Sequence, residues 1–145
     1  MDENIELLQY VYKNSEMGVF TIKKLLNMLE NKENKIKSLA NYEMKKYNEF
    51  LDEARKIIKK NKYELEENGI MAKIGSSMGI KKEVMSDNSD AAIAHMLTEG
   101  ITMGIVDMET KLKNYRNIVD KKIYNLSKKF LEFQQEEIEK LKEFM

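Results

Sequence analysis

The chain has 145 residues, 42% hydrophobic and 34% charged, with no proline, cysteine or tryptophan and only six glycines. Its 25 basic and 25 acidic residues cancel, so no strong field points at nucleic acid or anionic lipid. One domain is the expectation at this length, and the shortage of Gly and Pro argues against a turn-rich all-β fold. The missing cysteines exclude disulfides, thiolate metal sites and a cysteine nucleophile.

The sequence opens Met1-Asp2-Glu3-Asn4, acidic where a secretory leader is basic. No run reaches the roughly 18 apolar residues that a membrane span needs. A soluble, cytoplasmic protein is expected from this.

Apolar residues follow a three-four repeat over most of the chain. The first segment places Ile5, Leu8, Tyr12, Ser15, Val19, Ile22, Leu26 and Leu29 in register, which predicts a helix over about 2–30. Asn31 to Asn34 breaks it, since asparagine favours turns and caps. A second seam runs through Ala40, Met44, Tyr47, Leu51, Ala54 and Ile58, with Ile36, Glu43, Phe50 and Ile57 beside it. That predicts a helix over about 34–62 with a broad buried face.

Residues 63–89 carry Gly69, Gly75 and Gly79 and end in Ser86-Asp87-Asn88-Ser89-Asp90. This reads as a long, partly helical crossover, with a short helix around Ile70, Met71, Ile74 and Met78. A third long helix follows over 90–115, with Ala91, Ala94, Thr98, Ile101, Ile105, Met108, Leu112 and Tyr115 in register. The fourth, over 118–144, carries Tyr124, Ser127, Leu131, Gln134, Ile138, Leu141 and Met145, with Ile123, Phe130, Glu137 and Phe144 beside that seam. Met17-Gly18-Val19-Phe20 aligns with Met103-Gly104-Ile105-Val106, so the two halves read as repeated αα-hairpins.

Helices of about 28 residues are about 42 Å long at 1.5 Å per residue. A connection of 63–89 can run back along that length. Hairpin, long crossover, hairpin is the connectivity of the ferritin-like bundle. On helix lengths, crossover, a mid-helix glutamate in the first hairpin and the Met-Gly-Val/Ile repeat, the chain resembles the ferritin-like four-helix-bundle superfamily. More narrowly, it resembles the small bacterial members without assigned function.

The resemblance implies a test for metal. Ferritin-like di-iron sites use glutamates and two Glu-x-x-His motifs, and this chain has one histidine, His95. Two Glu-x-x-His motifs are therefore impossible, and a bundle lacking a complete di-iron centre is the expectation. The candidate ligands that remain are Glu16, Glu43, His95, Glu99 and Glu137. Glu43 and Glu137 each interrupt an otherwise apolar column, and burying either unpaired would raise its pKa. Lys46, three residues after Glu43, is a candidate to neutralise it. Levels differing by up to about 14 Å, at 1.5 Å per residue, keep all five from sharing one centre.

The reading that follows is an all-α, ferritin-like bundle acting as a non-catalytic binding or structural module. No cofactor and no catalytic residue are expected. The alternative is a divergent, carboxylate-rich iron- or manganese-binding oxidase or iron-handling protein. A third option is a small-molecule sensor with a cavity among the methionines. Most methionines, such as Met44, Met108 and Met145, fall on seams and read as adaptable core filler. Met96 and Met103 fall off the main seam and, with Thr98, Gly100 and Gly104, mark the third long helix as a contact face for a homo-oligomer. The mid-helix Gly18 and Gly104 read as places of close helix approach. No protein partner is indicated, and neither nucleic acid nor membrane is expected as one.

Overall fold

The structure is a computed structural model that describes residues 2–65 and 69–145. Residues 1 and 66–68, the latter inside the expected crossover, lie outside the described residues. The described residues contain five helices and no strand. They are α1 (Glu3–Met28), α2 (Ile36–Asn61), α3 (Ile70–Ser86), α4 (Asp90–Tyr115) and α5 (Lys121–Lys142).

Local chemistry sets the ends. Asp2 accepts from the Asn4 amide at 2.7 Å and opens α1. Ser89 accepts from Ala92 at 3.2 Å to open α4, and Asp120 accepts from Lys122 at 2.8 Å to open α5. Asp120 explains why α5 starts at Lys121 and not at 118: its side chain fits the cap position, where an oxygen meets the free amides of the first turn. The α2 helix closes on Lys62 in the left-handed conformation, φ 56°. Its N-terminus is unusual, because Lys35 supplies no side-chain cap. Asp90, the first residue of α4, does so from across the bundle, accepting from Lys35 N at 3.2 Å and Ile36 N at 3.4 Å. Asn34 Nδ2 also donates to it at 3.0 Å.

Contacts between helices fix their directions. Glu6 meets Lys111 and Tyr115 at one end of α1 and α4, while Tyr10 donates to the Gly104 carbonyl further along. These two helices are therefore antiparallel. The Tyr47–Gln134 bond and the Phe50–Phe130 ring contact make α2 and α5 antiparallel as well. With tight hairpins between α1 and α2 and between α4 and α5, α2 and α4 run the same way. The 63–89 stretch must then span the bundle lengthwise.

That return carries more helix than the sequence pattern predicts. The α3 helix has 17 residues and continues past Gly75 and Gly79 to Ser86. Its register runs parallel to α1, with Lys73 beside Glu16 and Ser76 beside Thr21. Tertiary burial accounts for the extension: Ile80 and Val84 pack against Leu25, Leu29 and Ile36 at the first hairpin's turn. Such packing outweighs the roughly 1 kcal/mol that each helical glycine costs.

The core divides into two clusters. The larger gathers Leu7, Leu8, Val11, Met108, Ile123 and Phe130 with a set of aromatic rings. Tyr47 and Phe50 meet Phe130 and Phe133 at centroid distances of 5.1 to 6.1 Å. The smaller gathers Leu25, Leu29, Ile36, Ile93, Leu97 and Leu141 around the α3 contact. Met145, placed on a seam by its spacing, is 43% exposed beyond the end of α5.

Candidate functional site

The site lies where the two clusters meet. Ile22 and Tyr47 of the larger cluster and Ile80 and Leu97 of the smaller one line a single cavity of about 310 Å³. All five helices contribute to its wall. From α1 come Asn14, Met17, Gly18 and Thr21, from α3 Ser76, and from α4 Met96, Gly100, Ile101 and Gly104. Glu43 on α2 and Gln134 and Glu137 on α5 complete it.

The three polar residues on the α2–α5 wall are buried, with Glu43 at 1%, Gln134 at 2% and Glu137 at 3% exposure. Helical spacing puts them there. Glu43 and Tyr47 are one turn apart on α2, and Gln134 and Glu137 are one turn apart on α5, so each pair shares a face. Gln134 Nε2 donates to the Tyr47 hydroxyl at 3.3 Å. Among the described residues, both oxygens of Glu43, Oε1 of Glu137 and Oε1 of Gln134 have no protein hydrogen-bond partner. The two carboxyls and the Tyr47 hydroxyl stand close enough to affect one another's ionisation, yet no well-oriented hydrogen bond satisfies these oxygens.

Burial is the main force on both acids. It raises the Glu43 carboxyl well above the usual range, and the neighbouring Glu137 charge raises it further. Burial also raises Glu137, opposed by the Tyr47 hydroxyl, by Glu43 and by the Lys140 charge. Two carboxyls sharing one buried site cannot both ionise cheaply, so the pair retains proton at neutral pH. Tyr47 is likewise pushed up by burial and by Glu137.

The expected neutraliser of Glu43 is not where the spacing suggests. Lys46 turns outward to Glu49 at 3.4 Å. Lys140 of α5 is the cation that acts on both carboxyls, and its ammonium lies 4.1 Å over the Tyr42 ring.

Of the five candidate ligands, the structure brings together Glu43 and Glu137. Glu16 is largely covered and points to α3, where Lys73 stands 3.8 Å from it. His95 and Glu99 are exposed on α4. Among the described residues no group of three or more His, Cys, Asp or Glu side chains is placed to hold a metal ion. This donor set does not fit the dinuclear carboxylate centre of ferritin-like enzymes.

The mid-helix glycines serve close approach. A Cβ on Gly18 would lie 2.8 Å from the Tyr47 ring, and one on Gly104 would lie 2.5 Å from the Tyr10 hydroxyl. Met96, expected on an outer face, lines the cavity, while Met103 is 80% exposed. Sequence spacing passes over Asn14, Thr21 and Ser76, since a lone polar residue beside a seam carries no signal until α3 closes over it.

No protein-family model matches the chain, and neither curated proteins nor solved structures give a match. Among the described residues no helix is long and apolar enough to cross a membrane.

Proposed function

We propose that this chain is a ferritin-like helical bundle that serves as a non-catalytic small-molecule binding module, and that the cavity between its two core clusters is the functional site. One observation carries the reading: buried oxygens of Glu43, Gln134 and Glu137, without protein partners among the described residues, line a cavity of about 310 Å³. An orphaned buried acceptor costs about 1–3 kcal/mol. A mostly apolar hollow with a few convergent polar groups is the usual form of an organic ligand site. What supports the ferritin-like assignment is the connectivity, with parallel α2 and α4 joined by a crossover that runs back along α1.

Self-association belongs to the same proposal. On α4, Met103 and Val106 are 80% and 57% exposed, one turn apart, and offer an apolar strip to a second copy. Sedimentation of the wild type against a Met103→Lys, Val106→Lys variant tests it, with a shift to monomer expected.

The binding role is tested by screening small organic compounds for a rise in melting temperature, together with elemental analysis of the purified protein. Saturable stabilisation without stoichiometric iron, manganese or zinc is the expected outcome. One bound metal ion per chain, lost in Glu43→Ala, would favour the second reading. In that reading Glu43, Glu137 and the Gln134 amide oxygen hold a single iron or manganese ion, because all the orphaned atoms on this wall are hard oxygen donors.

A further inference from the structure

We infer that the cavity takes a small organic monocation, a primary ammonium on an apolar body, seated against Glu43 and Glu137. The inference rests on the binding-module reading and names the class of ligand.

The orphaned atoms of the polar wall share one hydrogen-bonding character. Among the described residues they are four oxygens, two on Glu43 and one each on Gln134 and Glu137, and once the acid pair gives up the proton it retains, all four are acceptors. One N–H of the Gln134 amide is already engaged by Tyr47. The complement of such a wall is a group with several donors and no acceptor. A primary ammonium has three donors and no acceptor, whereas a hydroxyl brings one donor and two lone pairs. A carboxylate or phosphate would meet two acidic side chains and, among the described residues, no facing cation on the cavity wall, since Lys140 is turned to the Tyr42 ring.

The rest of the cavity sets the body of the ligand. Met17, Ile22, Ile80, Met96, Leu97 and Ile101, on α1, α3 and α4, give the cavity most of its apolar lining, with Asn14, Thr21 and Ser76 of the same helices beside them. A hydrated or oxygen-caged divalent ion has no use for that surface. At about 30 Å³ per water-sized unit, the volume holds about ten non-hydrogen atoms. An unbranched amine of six to eight carbons fits that space, its tail against thioethers that adapt to shape.

Hexylammonium, 1-hexanol and manganese(II) chloride are the probes, titrated into the full chain by calorimetry and followed by methyl-¹³C methionine NMR. Hexylammonium is expected to bind at least tenfold more tightly than 1-hexanol and to move the Met17 and Met96 methyl signals while leaving Met145 unmoved. The Glu43→Gln, Glu137→Gln variant is expected to lose that tenfold preference while still admitting hexanol. If the variant does not fold, the wild-type preference and the methionine shifts decide alone. Hexanol binding as tightly as the amine overturns the ammonium assignment and leaves the binding-module reading standing. Absence of binding by both organic probes overturns both. Manganese binding more tightly than the amine, with no shift from hexylammonium, overturns the assignment in favour of a metal site.

Discussion

Gly18 is what allows Tyr47 its position: a Cβ at residue 18 would lie 2.8 Å from Cδ2 of the Tyr47 ring and 2.9 Å from two further ring atoms. The ring cannot give way freely, being 2% exposed and packed edge-on against Phe133 at 5.1 Å and Phe130 at 6.1 Å. Its hydroxyl reaches the Gln134 amide on the cavity wall. A backbone choice in α1 thereby sets the geometry of the polar site between α2 and α5.

Gly18→Ala is therefore expected to destabilise the protein by about 1–3 kcal/mol, the range for overpacking a dense core. That loss exceeds the gain of up to about 1 kcal/mol in helix propensity. Gly75→Ala is the matched control, since among the described residues its Cβ would meet nothing within 4 Å. Thermal melts should lower the midpoint for the first variant and hold or raise it for the second.

The buried acid pair gives stability a definite pH slope. Both carboxyls are raised above the ordinary value of 4.5 by burial, with Tyr47 and Lys140 facing them. Above 4.5 the folded chain holds more protons than the unfolded chain, so their contribution is full below 4.5 and is lost as pH rises through the raised values. Each excess proton gives a slope of about 1.4 kcal/mol per pH unit. Urea denaturation from pH 5 to pH 9 should show falling stability in the wild type. The Glu43→Gln, Glu137→Gln variant should be nearly flat over the same range. A wild type that gains stability toward pH 9 would contradict a proton-retaining pair.

Glu6 has the opposite sign. Its hydrogen bond from Lys111 at 2.8 Å, aided by the Tyr115 hydroxyl, holds its carboxyl below the usual range. Its contribution is present above the ordinary value of 4.5 and is lost as pH falls through the lowered one. Glu6→Gln should cost about 0.5–1 kcal/mol at pH 7 and nothing once the wild-type carboxyl is protonated. Comparing the two proteins at neutral and strongly acid pH tests this sign.

Asp90 acts as the missing cap of α2 while standing on α4, so it clips the first hairpin to the second. Asp90→Ala should cost about 1–2 kcal/mol, through lost bonds to the Lys35 and Ile36 amides. Asp90→Asn keeps an acceptor oxygen and should recover most of that loss. Faster amide hydrogen exchange at the start of α2 in the alanine variant is the local readout.

Much of the helical architecture is legible in the residues. The three-four spacing places the four long helices within a few residues of their observed ends, because burial of one face leaves a periodic record. Glu43 and Glu137 stand out for the same reason, each a carboxylate in a column of Ile and Phe. Gly18 and Gly104 are readable as points of close approach, though not the tyrosines that approach them. The length of α3 was not legible. Its apolar residues are spaced by glycines that favour no helix alone, and it extends because Ile80 and Val84 find the turn between α1 and α2.

The sequence by itself determined which faces are apolar, about where the four long helices lie, and that one histidine cannot supply two Glu-x-x-His motifs. Those are local matters of periodicity, caps and residue inventory. Only the tertiary structure decided which acids meet. Glu43 and Glu137 are 94 positions apart by number and converge because α2 and α5 pack antiparallel. Glu16 is drawn to Lys73 because α3 returns along α1. The cavity is decided at that same level, since its wall comes from five helices and no single one of them carries its shape.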